Sequence, residues 1–142
     1  MNGDDQLIQG LARVYLHLQR RVNRELAQEG GSLARLKLLL FVQNREGTAR
    51  AADIAEVFDL APRTVTEGLD ALERDGLIVR SPDSDDRRVK RIAVTAAGSG
   101  VIAASEPLRA RLLAETFAVL SPDEHAQLGA LLGKLAASLT EG

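Results

Sequence analysis

The chain has 142 residues, no cysteine, and 18 Lys and Arg against 20 Asp and Glu, for a formal net charge of −2 at pH 7. That length suits one domain, or one domain with appended helices, and is enough to bury a core without disulfides. The missing cysteine excludes disulfides, zinc-thiolate and iron–sulfur sites and thiol redox sensing. No stretch approaches the roughly 20 apolar residues of a membrane span, and the polar, acidic start Met1-Asn2-Gly3-Asp4-Asp5 is unlike a signal peptide. A cytoplasmic protein is expected. The slight acidity runs against nucleic-acid binding, which favours basic domains, yet binding depends on the local field at the contact surface.

In chain order, residues 5–28 place Leu7, Leu11, Val14, Leu18 and Val22 at helical spacing, with Arg13, Arg20, Arg21 and Arg24 on the other face. Gly30-Gly31 stops this helix, and Ser32 caps the next, 33–44, with Leu36, Leu39, Leu40 and Val42 as its apolar positions. A short helix, 51–58, precedes Asp59-Leu60-Ala61 and Pro62, which opens a helix running to Asp75 and stopping at Gly76. Residues 77–80 read as a strand, Ser81 to Asp86 as a turn, and 89–95 as a second strand, which together make a β-hairpin. Thr95 caps a helix of about two dozen residues, within which Pro107 predicts a kink or break. Ser121-Pro122-Asp123-Glu124 combines an N-cap, a first-turn proline and a capping-box glutamate, and opens a last helix striped by Leu128, Leu131, Leu132, Leu135 and Leu139.

Two helices separated by three residues, the second led by proline and followed at once by a hairpin, predict a winged helix-turn-helix. The fold class expected is mainly α with a small β-hairpin wing, and N- and C-terminal helices for dimerisation on either side. Residues 1–30 would form the N-terminal dimerisation helix, 31–97 the DNA-binding domain, and 98–142 the C-terminal dimerisation helices. Ala55 is small where the two helices of the motif approach, and Ile54, Phe58, Leu60, Val65 and Leu69 are apolar where it needs a shared core. Asp59 occupies the turn, where aspartate tolerates the left-handed region better than most residues.

Double-stranded DNA is the partner this motif implies. The start of its second helix enters the major groove. There Pro62 is followed by Arg63, Thr64, Thr66 and Glu67: arginine for guanine or phosphate, threonines for phosphate or a thymine methyl, glutamate for cytosine. Residues of these types also sit at ordinary exposed helix starts, and it is the hairpin that follows which favours DNA. Its tip, Asp86-Arg87-Arg88 with Lys90 and Arg91 behind, suits insertion of arginine into a narrow minor groove, with Asp86 close enough to direct it.

The run Asp86-Arg87-Arg88, five residues, Val94-Thr95, two residues, Gly98 resembles the wing signature of the MarR family of bacterial regulators, with Val94 where the family has leucine. Ala61-Pro62-Arg63-Thr64-Val65-Thr66 and Leu72-Glu73-Arg74-Asp75-Gly76-Leu77-Ile78 resemble the same family's recognition helix and its exit. The resemblance implies a homodimer with interleaved terminal helices, and a repressor released by small phenolic or anionic ligands. It also implies Arg88 in the minor groove, Asp86 orienting it, and recognition through Arg63, Thr64 and Thr66.

The outer helices point to a dimer independently. Leu7, Leu11 and Val14 at one end and Leu128, Leu132, Leu135 and Leu139 at the other offer more apolar surface than a winged domain of some 45 residues covers, and such patches mark interfaces. A two-fold dimer predicts a pseudo-palindromic operator with half-sites about one helical turn apart. A small-molecule effector would act by favouring a wrong spacing of the two recognition helices, from a site between the helical region and the winged lobe.

Tyr15, Phe41, Phe58 and Phe117 read as core residues, and His17 and His125 are too far apart in sequence, and too unaccompanied, to suggest a metal site. No cofactor is implied. Neither paired catalytic carboxylates, a serine–histidine arrangement nor a phosphate-cradling glycine loop is visible, so an enzyme is not expected. The alternative from another class is a winged-helix module that binds protein and not DNA. It suits the net charge and the acids Glu67, Asp70, Glu73 and Asp75, but leaves the basic wing without a purpose.

Overall fold

The computed structural model describes residues 2–140; Met1 and residues 141–142, the outermost positions of the two expected dimerisation segments, lie outside the described residues. Helix α1 spans Gly3–Gln28. The Asn2 side chain caps it by accepting the Asp5 N–H at 2.8 Å, and Asp4 and Asp5 lie at its positive end. Gly30, at φ 82°, lets the chain leave it. Helix α2, Leu33–Asn44, starts where Ser32 Oγ accepts the Arg35 N–H at 3.2 Å.

Helix α3 is Ala51–Val57, and α4 is Pro62–Arg74 with proline at its first position. Between them Asp59 adopts φ 51°, the left-handed conformation expected of it, and the Leu60 N–H closes the turn on the Ala55 carbonyl at 3.0 Å. Strands β1, Ile78–Pro82, and β2, Lys90–Val94, pair antiparallel, with Ile78 opposite Val94 and Pro82 opposite Lys90. The Ile92 N–H also reaches the Ala49 carbonyl at 2.9 Å, which fastens the hairpin to the segment before α3. Helix α5 is Ala96–Phe117 and α6 is Pro122–Thr140.

The core of the winged lobe is aliphatic: Leu36, Leu39 and Val42 of α2, Ile54 of α3, Val65, Leu69 and Leu72 of α4, and Ile78 and Ile92 of the hairpin are all buried. Each such side chain contributes about 1.5–3 kcal/mol by leaving water. This core fixes the direction of α4 against the hairpin, and so places the candidate site. Gly98, the last residue of the wing signature, has a steric reason to be glycine. A Cβ there would collide with the Leu77 carbonyl oxygen and lie 2.6 Å from Val94 Cγ1. The start of α5 therefore packs directly on the base of the hairpin, where Thr95 Oγ1 accepts the Gly98 N–H at 3.1 Å and donates to the Gly76 carbonyl at 2.7 Å.

Four local expectations are corrected. Tyr15, read as core, is 57% exposed on α1. Ser81 and Pro82 belong to β1 and not to the turn. In a two-stranded sheet every strand is an edge, so the missing proline N–H interrupts nothing. Leu60 is 40% exposed and not part of the shared core, because the chain passes the end of α3 before α4 begins. Of the kink or break expected at Pro107, the break does not occur: α5 continues to Phe117.

The described residues divide between Pro107 and Leu108 into two compact units. In the first, α1 buries only Val22 and Leu26 and leaves Leu7, Leu11 and Val14 exposed. In the second, α6 buries none of its residues. It begins with the expected capping box: Ser121 Oγ accepts the Glu124 N–H at 3.1 Å, and the Ser121 N–H donates to Glu124 Oε1 at 2.9 Å. Leu132, Leu135 and Leu139 of α6 are exposed and Leu128 is half-buried. No helix among the described residues is long and apolar enough to cross a membrane.

Candidate nucleic-acid interface

Pro62, Arg63, Thr64, Thr66 and Glu67 all lie exposed on the first turns of α4. Ala61, the N-cap, offers no side-chain acceptor, so the Arg63 and Thr64 N–H groups are left without helical partners at the positive end of the helix dipole. Arg63 Nε donates to Glu67 Oε1 at 3.2 Å, with both side chains largely in solvent, and Thr66 Oγ1 donates to the Pro62 carbonyl at 3.0 Å. An exposed pair of this kind is weakly held, so Arg63 can exchange its partner readily.

In the hairpin loop, Asp86 is half-buried while Arg87 and Arg88 are exposed. Asp86 Oδ1 accepts both the Arg88 N–H at 3.1 Å and Arg88 Nε at 3.2 Å. These bonds hold the Asp86 carboxyl below the usual aspartate range, chiefly through the guanidinium and then the backbone N–H of Arg88. The Arg88 side chain is nonetheless 91% exposed: one edge of its guanidinium is held by Asp86 while the other edge stays open to solvent.

Thr66 and Arg88 line one cleft of about 340 Å³, together with Arg50, Arg80, Lys90 and Val89. The start of α3, the exposed side of α4 and the wing thus meet around a cationic hollow. Pro62, Arg63, Glu67, Asp86 and Arg87 lie outside its lining. Thr64 lines a different cavity, of about 570 Å³, whose wall combines Arg20, Asn23 and Lys37 with Leu33, Phe58 and Leu60. A cationic and apolar lining of this size suits a small amphipathic anion.

Arg91, which lies behind the wing tip in the basic run, donates Nε to Asp83 Oδ1, so its charge is taken up within the protein. Asp70 and Glu73, which gave the protein-binding alternative some room, both receive Arg80 from β1. Arg80 Nη2 lies 2.6 Å from Asp70 Oδ1, and Arg80 meets the two Glu73 oxygens at 3.1 and 3.2 Å. The clamp ties wing to recognition helix, raises the Arg80 pKa, and lowers that of Glu73. Sequence reasoning missed Arg80, Arg50 and Asp83, because their partners lie on other elements. Among the described residues no cluster of His, Asp and Glu could hold a metal; His17 is exposed, and the His125 ring lies edge-on to Phe117 at 5.8 Å.

Comparison with known proteins identifies the family and the fold. The model of the MarR family matches residues 32–90. The uncharacterised HTH-type transcriptional regulator YkoM of Bacillus subtilis is 30% identical over 123 residues, covering 87% of this chain and 79% of that protein. The HTH-type transcriptional repressor MdtR of the same species is 28% identical over 142 residues, covering 96% of this chain and 90% of that protein. Among solved structures, a mutant MarR from E. coli, complexed with operator DNA, superposes with a TM-score of 0.78 at 22% identity, covering 95% of this chain and 99% of that one.

Proposed function

The chain belongs to the MarR family of transcriptional regulators, and from that premise we propose that it is a homodimeric repressor of a pseudo-palindromic operator, released by a small anionic effector. The observation that carries the DNA reading is the exposed Arg88, held along one edge by Asp86 and sharing a cleft with Thr66 of α4. One duplex laid across that cleft would meet α4 through its major groove and Arg88 through the adjacent minor groove. Pro62, Arg63, Thr64, Thr66 and Glu67 read the former, and Asp86, Arg87 and Arg88 the latter. The relative complexed with operator DNA and the relative named a repressor support the same reading.

The dimer reading rests on α1 and α6. Leu7, Leu11 and Val14 on the one, and Leu132, Leu135 and Leu139 on the other, are uncovered apolar stripes too long to leave in water. Leu128 completes the second stripe. The effector reading rests on the cavity of about 570 Å³, since an occupant beside Thr64 would touch the recognition helix itself. Aromatic carboxylates that bind the protein should weaken its hold on DNA by the coupling between the two sites.

A gel-shift titration against the DNA flanking the protein's own gene tests the reading. Specific binding should weaken steeply as salt rises, because phosphate contacts release counterions. Absence of any duplex affinity at low salt would favour the protein-binding module.

A further inference from the structure

We propose that Asp83 is the positioning residue of the wing: buried at the root of the hairpin loop, it fixes the backbone of Asp86, whose carboxylate in turn aims Arg88. The proposal rests on the DNA reading of Arg88 above. Asp83 is only 3% exposed, and no other ionisable side chain among the described residues is buried. An acid is costly to remove from water unless cations and donors surround it, and here they come from three places. Arg91 of β2 donates Nε to Oδ1, the Asp86 N–H donates to Oδ2 at 3.2 Å, and Arg50, at the N-cap of α3, brings Nη2 to 3.9 Å from Oδ2.

The loop then closes on itself. The Asp83 N–H donates to the Val89 carbonyl at 2.9 Å, and the Val89 N–H to the Asp86 carbonyl at 3.0 Å. Asp86 passes the constraint on, accepting Arg88 at its N–H, its Nε and, at 3.4 Å, its Nη2. The path runs from Arg50 and Arg91 through Asp83 and the Asp86 backbone to the exposed guanidinium. A buried salt bridge is weak evidence for stability alone. Here it orders a long, otherwise floppy side chain before DNA arrives, which lowers the ordering cost of binding.

The test is a double-mutant cycle on a duplex that the wild-type protein selects from random-sequence DNA, synthesised with either A·T or G·C pairs at the flank facing the wing. Asp83→Asn keeps the shape and removes the charge. It should weaken binding to the A·T-flanked duplex about tenfold, the low end of one groove contact. The same change should do almost nothing on the G·C-flanked duplex or in an Arg88→Ala background. A purely structural role would instead give the same loss with and without Arg88, and that result overturns the proposal, as does full affinity in Asp83→Asn alone. If Arg88→Ala itself has no effect on the A·T-flanked duplex, the wing reading fails first, and Asp83 has nothing to position. Hydrogen exchange of the wild-type protein gives a check that needs no variant. The Asp86 amide should be protected, and exchange there at the rate of a free loop contradicts the contact on which the proposal depends.

Discussion

The carboxylate of Asp86 accepts the backbone N–H and the guanidinium of the same residue, Arg88, at 3.1 and 3.2 Å, two positions along the chain. Because Asp86 binds both the backbone N–H and the guanidinium of Arg88, the side chain is biased toward solvent on the side of the cleft it shares with Thr66 of α4. Arg88→Ala should therefore lower affinity for an A·T-flanked operator by about 1–3 kcal/mol, the range of one good groove contact, and should leave thermal stability unchanged. Fluorescence titration on a verified operator measures the first and a melting curve the second. Unchanged affinity would remove the wing from recognition.

Much of this fold is legible in the sequence because its punctuation is local. Ser32 and the Ser121–Glu124 box announce helix starts within four residues of the N–H groups they satisfy, Pro62 announces one by its fixed φ and missing N–H, and Gly30 and Gly76 mark the stops. The wing tip is legible for the same reason, since Asp86 and Arg88 are near neighbours. What escaped depends on pairings that only folding creates. Asp83 reads as turn chemistry until Arg50 and Arg91 reach it from two other elements. Arg91 reads as part of the basic run behind the wing tip until its partner appears across the hairpin. Leu60 reads as core because apolarity is visible in a sequence and exposure is not. The strand end at Pro82 was hidden because proline usually marks turns, a rule that lapses on an edge strand.

The stripe on α6 should show itself through oligomeric state. Leu135 is 54% exposed in the single chain. If the stripe is an interface, Leu135→Asp buries an unpaired charge there and should weaken the dimer by about 3 kcal/mol, or ~100-fold. Sedimentation velocity on a dilution series would report it, and an undisturbed dimer would show that this residue lies outside the contact.

The clamp between wing and recognition helix predicts an acid limb of stability. Arg80 holds the Glu73 carboxyl below its ordinary value of 4.5. A depressed native pKa stabilises fully above the unfolded value and ceases to do so as pH falls through the native one. The melting temperatures of wild type and Arg80→Met should therefore differ most near neutral pH and converge as pH drops below 4.5. A gap that stays constant with pH would show that Arg80 acts by packing alone.

Gly98 should not tolerate a methyl group. With the Leu77 carbonyl oxygen in the path of the added Cβ, Gly98→Ala forces α5 off the hairpin base. The expected loss is about 1–3 kcal/mol, as for other overpacked sites, read as a lower urea midpoint. A wild-type midpoint would mean that the two elements separate easily.

The central claim is that paired subunits grip one duplex through two α4 helices and two wings. Selection from random-sequence DNA by the purified protein, with the stoichiometry of the selected complex measured by sedimentation, tests it most directly. The account predicts an inverted repeat whose half-site centres lie about one helical turn apart, bound by two chains, with A·T pairs at its flanks. An unenriched pool, or a single half-site bound by one chain, would contradict it.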